Sequence, residues 1–423
     1  MRVDGISINT MRRIDRLAGT PLCFLATIVL QLWWLVRRKP TRPIRRILFV
    51  ELSEMGSTIL ADPAIRKAQA LTGAETYFVI FARNAGSLAI MGTIGERNVF
   101  TLRTASLWQL AIDALQFLLW TRRNSIDTVI DLELFSRFTG LLTGFSGADR
   151  RIGFHRVNDE GLYRGNMLTH RIAYNPHIHI AKNFIALVNA LLSGSANTPY
   201  PKGVIDDSEL AIPVRPVPST VHAAASGKIR SLVAKTDPTF RRMVLINPNA
   251  GEMLPQRRWI ASRFVELIRR LLAAHDDLLV LITGASHERA EAEKLAAQCL
   301  SDRCVSIAGA LAVPELPGLF SLASLMVTND SGPAHFAAAS GLPTIVLFGP
   351  ETPKLYGPLG NATSIYAGLA CSPCVNVSNH RKSACGDNVC MRAISVDQVF
   401  AAANAILKRQ PAKESRPIKV VTG

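Results

Sequence analysis

The chain has 423 residues, 48% of them apolar and 19% charged, with a formal charge of +16 and a mean hydropathy of +0.19. This length exceeds one ordinary core and fits two domains, and the composition excludes a disordered or collagen-like chain. Half of the charge is local, because residues 1–46 hold ten Lys or Arg against Asp4 and Asp15; the remainder shows no basic stripe with interleaved aromatics, which argues against nucleic acid and for an acidic membrane surface or an anionic substrate.

Residues 1–45 read as a basic, apolar leader. Between Arg16 and Arg37 run twenty residues without a charge, ending near Trp33 and Trp34. That length just reaches across a bilayer, yet Gly19, Thr20, Pro21 and Gln31 dilute it, so a span and a helix lying in the interface both stay open. Either reading makes the membrane surface a partner. Arg37, Arg38 and Lys39 follow where a cleaved signal would need small residues. A basic flank there keeps the main body at the cytoplasmic face of the inner membrane.

Residues 46–195 form the first domain. The apolar run 46–50 is a buried strand, Ser53-Glu54-Met55-Gly56-Ser57 a turn, and 58–71 a helix. Further strands at 77–81, 98–102 and 128–132, with a helix at 106–120, give the alternation of a parallel sheet. Residues 196–240, with SGSANTPYPKG just before and inside them and PVRPVPST further on, read as a linker. A second alternation fills 241–410, with strands at 244–248, 278–283, 305–308, 325–328 and 344–348 and helices at 259–274, 286–298, 313–323 and 333–340. Residues 411–423 are a tail. The fold class is therefore α/β with two doubly wound, Rossmann-like domains, whose ligands gather where strands end.

One strand end carries Asp330-Ser331-Gly332-Pro333, where a proline opens a helix and backbone N–H groups face one point. A phosphate suits that point; alone, the tetrapeptide reads more readily as a helix cap. Its surroundings are more specific: His335 one turn on, Gly341-Leu342-Pro343-Thr344 leading into a strand that ends at Phe348-Gly349-Pro350, Gly56 after the first strand, and Pro248-Asn249-Ala250-Gly251 after the first strand of the second domain.

With those features the stretches ILFVELSEMGSTILADPAIR, LINPNAGEMLPQRRWIASRFVELI, LITGASHERAEAEKLA and VTNDSGPAHFAAASGLPTIVLFGP resemble glycosyltransferase family 9, the ADP-heptose:lipopolysaccharide heptosyltransferases, over roughly residues 46–410. The resemblance implies a GT-B architecture with the two domains facing a cleft. It implies inverting transfer of a heptose-like sugar from a nucleotide-sugar donor to a lipid-linked or lipopolysaccharide acceptor, with no cofactor needed for catalysis. It places Asp330, Ser331, Gly332 and His335 at the donor diphosphate and sugar, Arg257 where the family usually has a phosphate-binding lysine, and Glu288 where an acid meets the donor. Gly56 and Ser57 mark the acceptor-side turn.

The departure is at Ser57, where the resembled enzymes carry the aspartate taken to be the general base. A serine hydroxyl cannot serve alone near neutral pH. Of the nearby carboxylates Glu51, Glu54, Asp62, Asp131 and Glu133, we rank Glu54 first, because it shares the turn, and Glu133 second, because it follows a strand of the same sheet. A catalytically degenerate protein that binds nucleotide sugar and regulates or scaffolds glycan assembly is the alternative.

Four of the seven cysteines, Cys371, Cys374, Cys385 and Cys390, lie in a loop at 371–390 with spacing C-x2-C-x10-C-x4-C. A structural zinc, a loop disulfide and buried free thiols all fit that spacing.

Overall fold

In the computed structural model the described residues are 8–36, 43–134, 136–156, 162–193, 199–233, 240–251, 254–376 and 382–409. The tail 411–423 and residues 377–381 of the cysteine loop lie outside them. The chain divides into two compact units between Ala211 and Ile212.

The first unit is a sheet of six parallel strands: β1 (Arg46–Val50), β2 (Glu75–Phe81), β3 (Val99–Leu102), β4 (Thr128–Asp131), β5 (Arg150–Phe154) and β6 (His170–Ile172). Their order is β3-β2-β1-β4-β5-β6. Residues Ile47 to Val50 are fully buried, as expected for a central strand covered on both faces. α3 (Met55–Thr72) packs with α4 (Gly86–Met91) and α7 (Ile180–Leu192). α5 (Leu107–Arg123) and α6 (Arg137–Phe145) cover the face lined by Leu48, Val50, Val79 and Val129.

The leader forms α1 (Ile8–Leu17) and α2 (Gly19–Val36), bent by 43° at their junction. No single helix among the described residues is long and apolar enough to cross a membrane, although this bent pair passes by length and composition together. α2 seats Cys23, Ala26 and Leu30 against Met167 and the Leu141 and Phe145 side of α6. The approach is close because Gly19 meets Arg137 and Gly144 meets Leu30, with no Cβ between. Asp15 caps α6: one carboxylate oxygen accepts from the N–H groups of Arg137 (2.8 Å) and Phe138 (3.0 Å), and the other lies 3.3 Å from the Arg137 guanidinium.

The second unit repeats the plan with β7 (Arg242–Asn247), β8 (Leu278–Ile282), β9 (Cys304–Ser306), β10 (Leu325–Asn329), β11 (Thr344–Phe348) and β12 (Ala362–Tyr366), in the order β12-β11-β10-β7-β8-β9. Its helices are α8 (Ser219–Leu232), α9 (Ala261–Ala274), α10 (Arg289–Gln298), α11 (Leu316–Leu322), α12 (Gly332–Ala339), α13 (Pro353–Tyr356), α14 (Val389–Arg392) and α15 (Val396–Arg409). α9 and α15 bury Phe264, Ile268, Val399 and Leu407 against Val244, Val280 and Val327.

Three differences from the sequence reading have physical causes. β5 and β6 escape the apolar pattern because they carry Arg150, Arg151, His170 and Arg171, and β12 because it is a half-exposed edge strand. Inside 196–240 lies α8, which packs on α11 so closely that a Cβ on Gly318 would strike the Val221 carbonyl; that stretch belongs to the second unit from Ile212 onward. In each sheet the strand order reverses between the first strand and the fourth, so the ends of β1 and β4, and of β7 and β10, flank a switch point where ligands bind in such folds.

Candidate functional site

In the first unit the switch point is built from the turn after β1 and the turn after β4. Glu133 is buried, and its Oε1 accepts from the Leu52 N–H (3.0 Å), the Ser53 N–H (2.9 Å) and the Ser53 hydroxyl (2.6 Å). The β4 turn thus holds the β1 turn. Behind it, Asp131 accepts the Glu133 N–H at 3.1 Å and pairs with the buried Arg164 guanidinium. Arg164 also donates to the carbonyls of Glu133 (2.8 Å), Ser136 (2.9 Å) and Phe154 (3.3 Å) and to the Thr139 hydroxyl (3.0 Å), tying β4, β5 and the start of α6 together.

Burial pushes the Glu133 carboxyl above its ordinary pKa; the bonds from Ser53 and Leu52 pull the other way, and the charges of Asp131 and Glu54 add to the rise. Glu54 follows directly on the Ser53 that Glu133 holds. It is half-buried, extended (φ −134, ψ 126), and precedes α3 without capping it. Gly56 is buried and Ser57 half-buried in the first turn of α3. Glu51 and Asp62 are buried, and Asp62 is taken up by Arg66 at 2.7 Å and by Thr93.

In the second unit the equivalent point is held by Asn329, the last residue of β10. Its Oδ1 accepts the Trp259 N–H (3.0 Å), and its Nδ2 donates to the carbonyls of Pro248 (2.7 Å) and Asn249 (3.3 Å). The segment after β7 is pinned to β10 in this way, and Arg257 is brought beside Asp330. One guanidinium nitrogen, Nη1, lies 3.5 Å from Asp330 Oδ2 and 3.5 Å from Glu351 Oε2. Both acids are almost fully buried. Two carboxylates share one guanidinium nitrogen, and at 3.5 Å neither ion pair is tight.

Asp330 leads into Ser331 and into α12, where Pro333 occupies the first turn and His335 is buried. The Ser331 side chain does not cap α12 and lies 3.3 Å from the Thr328 hydroxyl. The N–H groups of that turn and the positive helix end thus stand beside a cation and two acids. A diphosphate has donors there, and sugar hydroxyls have acceptors.

The structure gathers Arg257, Asp330, Ser331, Gly332 and His335 at the ends of β7 and β10. Glu288 folds back on its own turn, its Oε2 accepting the Ala285 N–H at 2.7 Å and lying against Gly284. Glu351, just after β11, and Asn329 were not singled out from sequence. Both stand at strand ends, which was the available signal.

No group of three or more His, Cys, Asp or Glu among the described residues is arranged to hold a metal. Cys374 lies 3.4 Å from the Ser383 hydroxyl and Cys385 3.2 Å from Asp387 Oδ1. Cys390 sits in α14, which turns it into the core beside Gly349, while Cys371 is exposed. A zinc shared by Cys371, Cys374, Cys385 and Cys390 is therefore not shown among the described residues. The segment instead packs on the β11 turn: Cys374 N–H and Val375 N–H donate to the Pro350 carbonyl at 3.1 and 3.2 Å.

Both units are thus doubly wound sheets, and in the second a helix N-terminus, a cation and buried acids stand at the switch point. The chain belongs to glycosyltransferase family 9 (heptosyltransferase), whose family model matches residues 122–384, more than half of its length. It is similar to lipooligosaccharide heptosyltransferase 2 of Campylobacter jejuni, 27% identical over 176 residues covering 40% of this chain and 52% of that protein. It is also similar to lipopolysaccharide heptosyltransferase 2 of Escherichia coli, 31% identical over 127 residues covering 30% and 36%. The chain thus spans about half or less of the length of these curated relatives. A solved structure of E. coli ADP-heptose lipopolysaccharide heptosyltransferase II shares the fold, with a TM-score of 0.65 and 20% identity over 86% of this chain and 98% of that one.

Proposed function

We propose that the protein is an inverting, metal-independent glycosyltransferase of lipopolysaccharide core assembly, moving a heptose-like sugar from an ADP-heptose-like donor to a lipopolysaccharide or other cell-surface glycan acceptor. The observation that carries this reading, beside family membership, is Arg257 held between Asp330 and Glu351 next to the start of α12. Arg257 and the helix N–H groups supply positive charge where a leaving diphosphate becomes more negative. Asp330 and Glu351 supply acceptors for sugar hydroxyls. On the acceptor side, the acceptor hydroxyl loses its proton to Glu54 while its oxygen bonds the anomeric carbon, and the bond from that carbon to the donor phosphate breaks with its electron pair going to the phosphate. Glu133 fixes the turn that carries Glu54.

The test is a melting screen against nucleotide sugars followed by transfer assays on deacylated core acceptors, with Glu54→Gln as the chemical variant. Transfer that depends on Glu54 supports the proposal. Ser57 at the base position favours a second reading, a degenerate binder that regulates or scaffolds glycan assembly; tight nucleotide binding without turnover on any acceptor selects it. We further propose that α1 and α2 rest on the cytoplasmic face of the inner membrane, as the uncharged outer face of α2 and the exposed Arg13 and Arg16 of α1 suggest.

A further inference from the structure

We propose that α2 and α5 together form one docking face for an anionic phospholipid bilayer. This rests on the reading that the leader meets the membrane, and it adds an element that lies outside the leader. α5 connects β3 to β4 and fills the core with Leu110, Ala114, Phe117 and Leu118. Apart from Gln116, its outward positions before the closing arginines are apolar as well: Trp108 is 81% exposed, Leu115 65%, and Ile112 and Leu119 about half. A helix on a water-facing surface carries polar residues at such positions. α2 has the same character, with Leu22, Leu25, Val29 and Leu32 exposed opposite the Cys23, Ala26 and Leu30 seat.

The two helices share one side of the sheet. α2 lies along α6, and the end of α5 is tied to the end of α6, with the Thr121 hydroxyl donating to the Ser146 carbonyl (2.8 Å) and Arg122 to the Phe145 carbonyl (3.0 Å). Met11 of α1 packs against the core cluster that α5 and α6 share.

Charge sorts in the same direction. The only acids in α1, α2 and α5 are Asp15 and Asp113. Asp15 is engaged by Arg137 and the start of α6, and the buried Asp113 by Arg103 at 2.6 Å. What remains outward is cationic: Arg13 and Arg16 on α1, Arg122 and Arg123 at the end of α5, all exposed. Cations flanking an apolar face meet lipid phosphates while the apolar side chains enter the acyl boundary. A second copy of the chain is a poorer occupant, since a twofold contact would set this cationic rim against its own like. Because α2 keeps one whole side on α6, the geometry is that of helices lying in the interface.

The test is sedimentation of the full chain with vesicles of phosphatidylethanolamine and phosphatidylglycerol, against vesicles of phosphatidylcholine, with melting temperature and solution mass measured in parallel. The chain is expected to bind the anionic vesicles preferentially. Trp108→Gln/Leu115→Gln is expected to lower partitioning roughly tenfold or more at unchanged melting temperature, and Arg122→Glu/Arg123→Glu to lower it on anionic vesicles alone. If the wild-type chain binds and the α5 variants bind equally well, α2 docks alone and this inference fails while the leader reading stands. If the wild-type chain binds no vesicle, both fail. A wild-type dimer in lipid-free solution that Trp108→Gln/Leu115→Gln converts to monomer overturns the inference in favour of a second copy.

Discussion

Ser53 donates its hydroxyl to Glu133 at 2.6 Å, and the carboxylate oxygen that receives it also gathers the N–H groups of Leu52 and Ser53. One oxygen of β4's turn therefore fixes the loop after β1, and an amide oxygen in its place accepts the same three bonds. Glu133→Gln is expected to keep the fold and most of kcat/KM. Glu133→Ala leaves the donors unmet, costs about 1–3 kcal/mol, and lowers kcat through a displaced Glu54. Urea titration and steady-state kinetics check both. A Glu133→Gln protein that is folded yet as inactive as Glu133→Ala would assign the proton transfer to Glu133 itself.

The same carboxyl sets a pH dependence. Burial raises its pKa in the folded chain, so folding favours the protonated form. That stabilising contribution is complete below the unfolded value of about 4.3 and is lost as pH rises through the raised folded value. Wild type is therefore expected to lose stability relative to Glu133→Gln as pH climbs above about 4.3. Urea midpoints of the two proteins that run parallel across pH 4 to 8 sink this expectation.

At the second switch point, Glu351→Gln removes a carboxylate charge beside Arg257. With less negative charge near the phosphate, binding of free ADP is expected to tighten by roughly threefold to tenfold, as calorimetry reads it. Arg257→Ala and Asp330→Ala are each expected to weaken binding of the nucleotide sugar by about tenfold or more, Arg257→Lys recovering part of the loss. Unchanged affinity in both alanine variants removes Arg257 and Asp330 from the donor site.

Gly349 follows β11 against α14, and a Cβ there would run into the Met391 sulfur and crowd Cys390 at 3.2 Å. Gly349→Ala is expected to destabilise the second unit by about 1–3 kcal/mol, because Met391 is fully buried and has no space to give. Calorimetric melting shows it; a melting temperature equal to wild type contradicts it.

Local runs of sequence made β1, α3, β10 and α12 readable, since an apolar strand, a short polar turn and a helix start follow one another within a few residues. The placement of Arg257 beside Asp330 was anticipated only through resemblance; physically it depends on Asn329 bonding across to Pro248 and Trp259, some seventy to eighty residues away. Glu351 and Arg164 were missed for the same reason: their meaning lies in partners far along the chain, Arg257 for the one and Asp131 for the other. Glu288 was assigned to the donor, yet its Oε2 bonds the N–H three residues back, a local interaction that any helix start offers. The cysteine spacing leaves zinc, disulfide and free thiols open, and it does not reveal that α14 carries Cys390 inward.

Asp15 caps α6, and α6 in turn lies under α2. Trimming the first forty residues to make a more tractable protein would therefore strip the cap from a helix whose next neighbour is the Asp131 and Arg164 pair. It would also uncover Met167, Leu141 and Phe145, which α2 now shields. Such a shortened chain exchanges one greasy surface for another, so its clinging to vesicles or to itself would report the wound rather than a property of the intact chain. Point changes on the outer faces of the helices leave that cover in place.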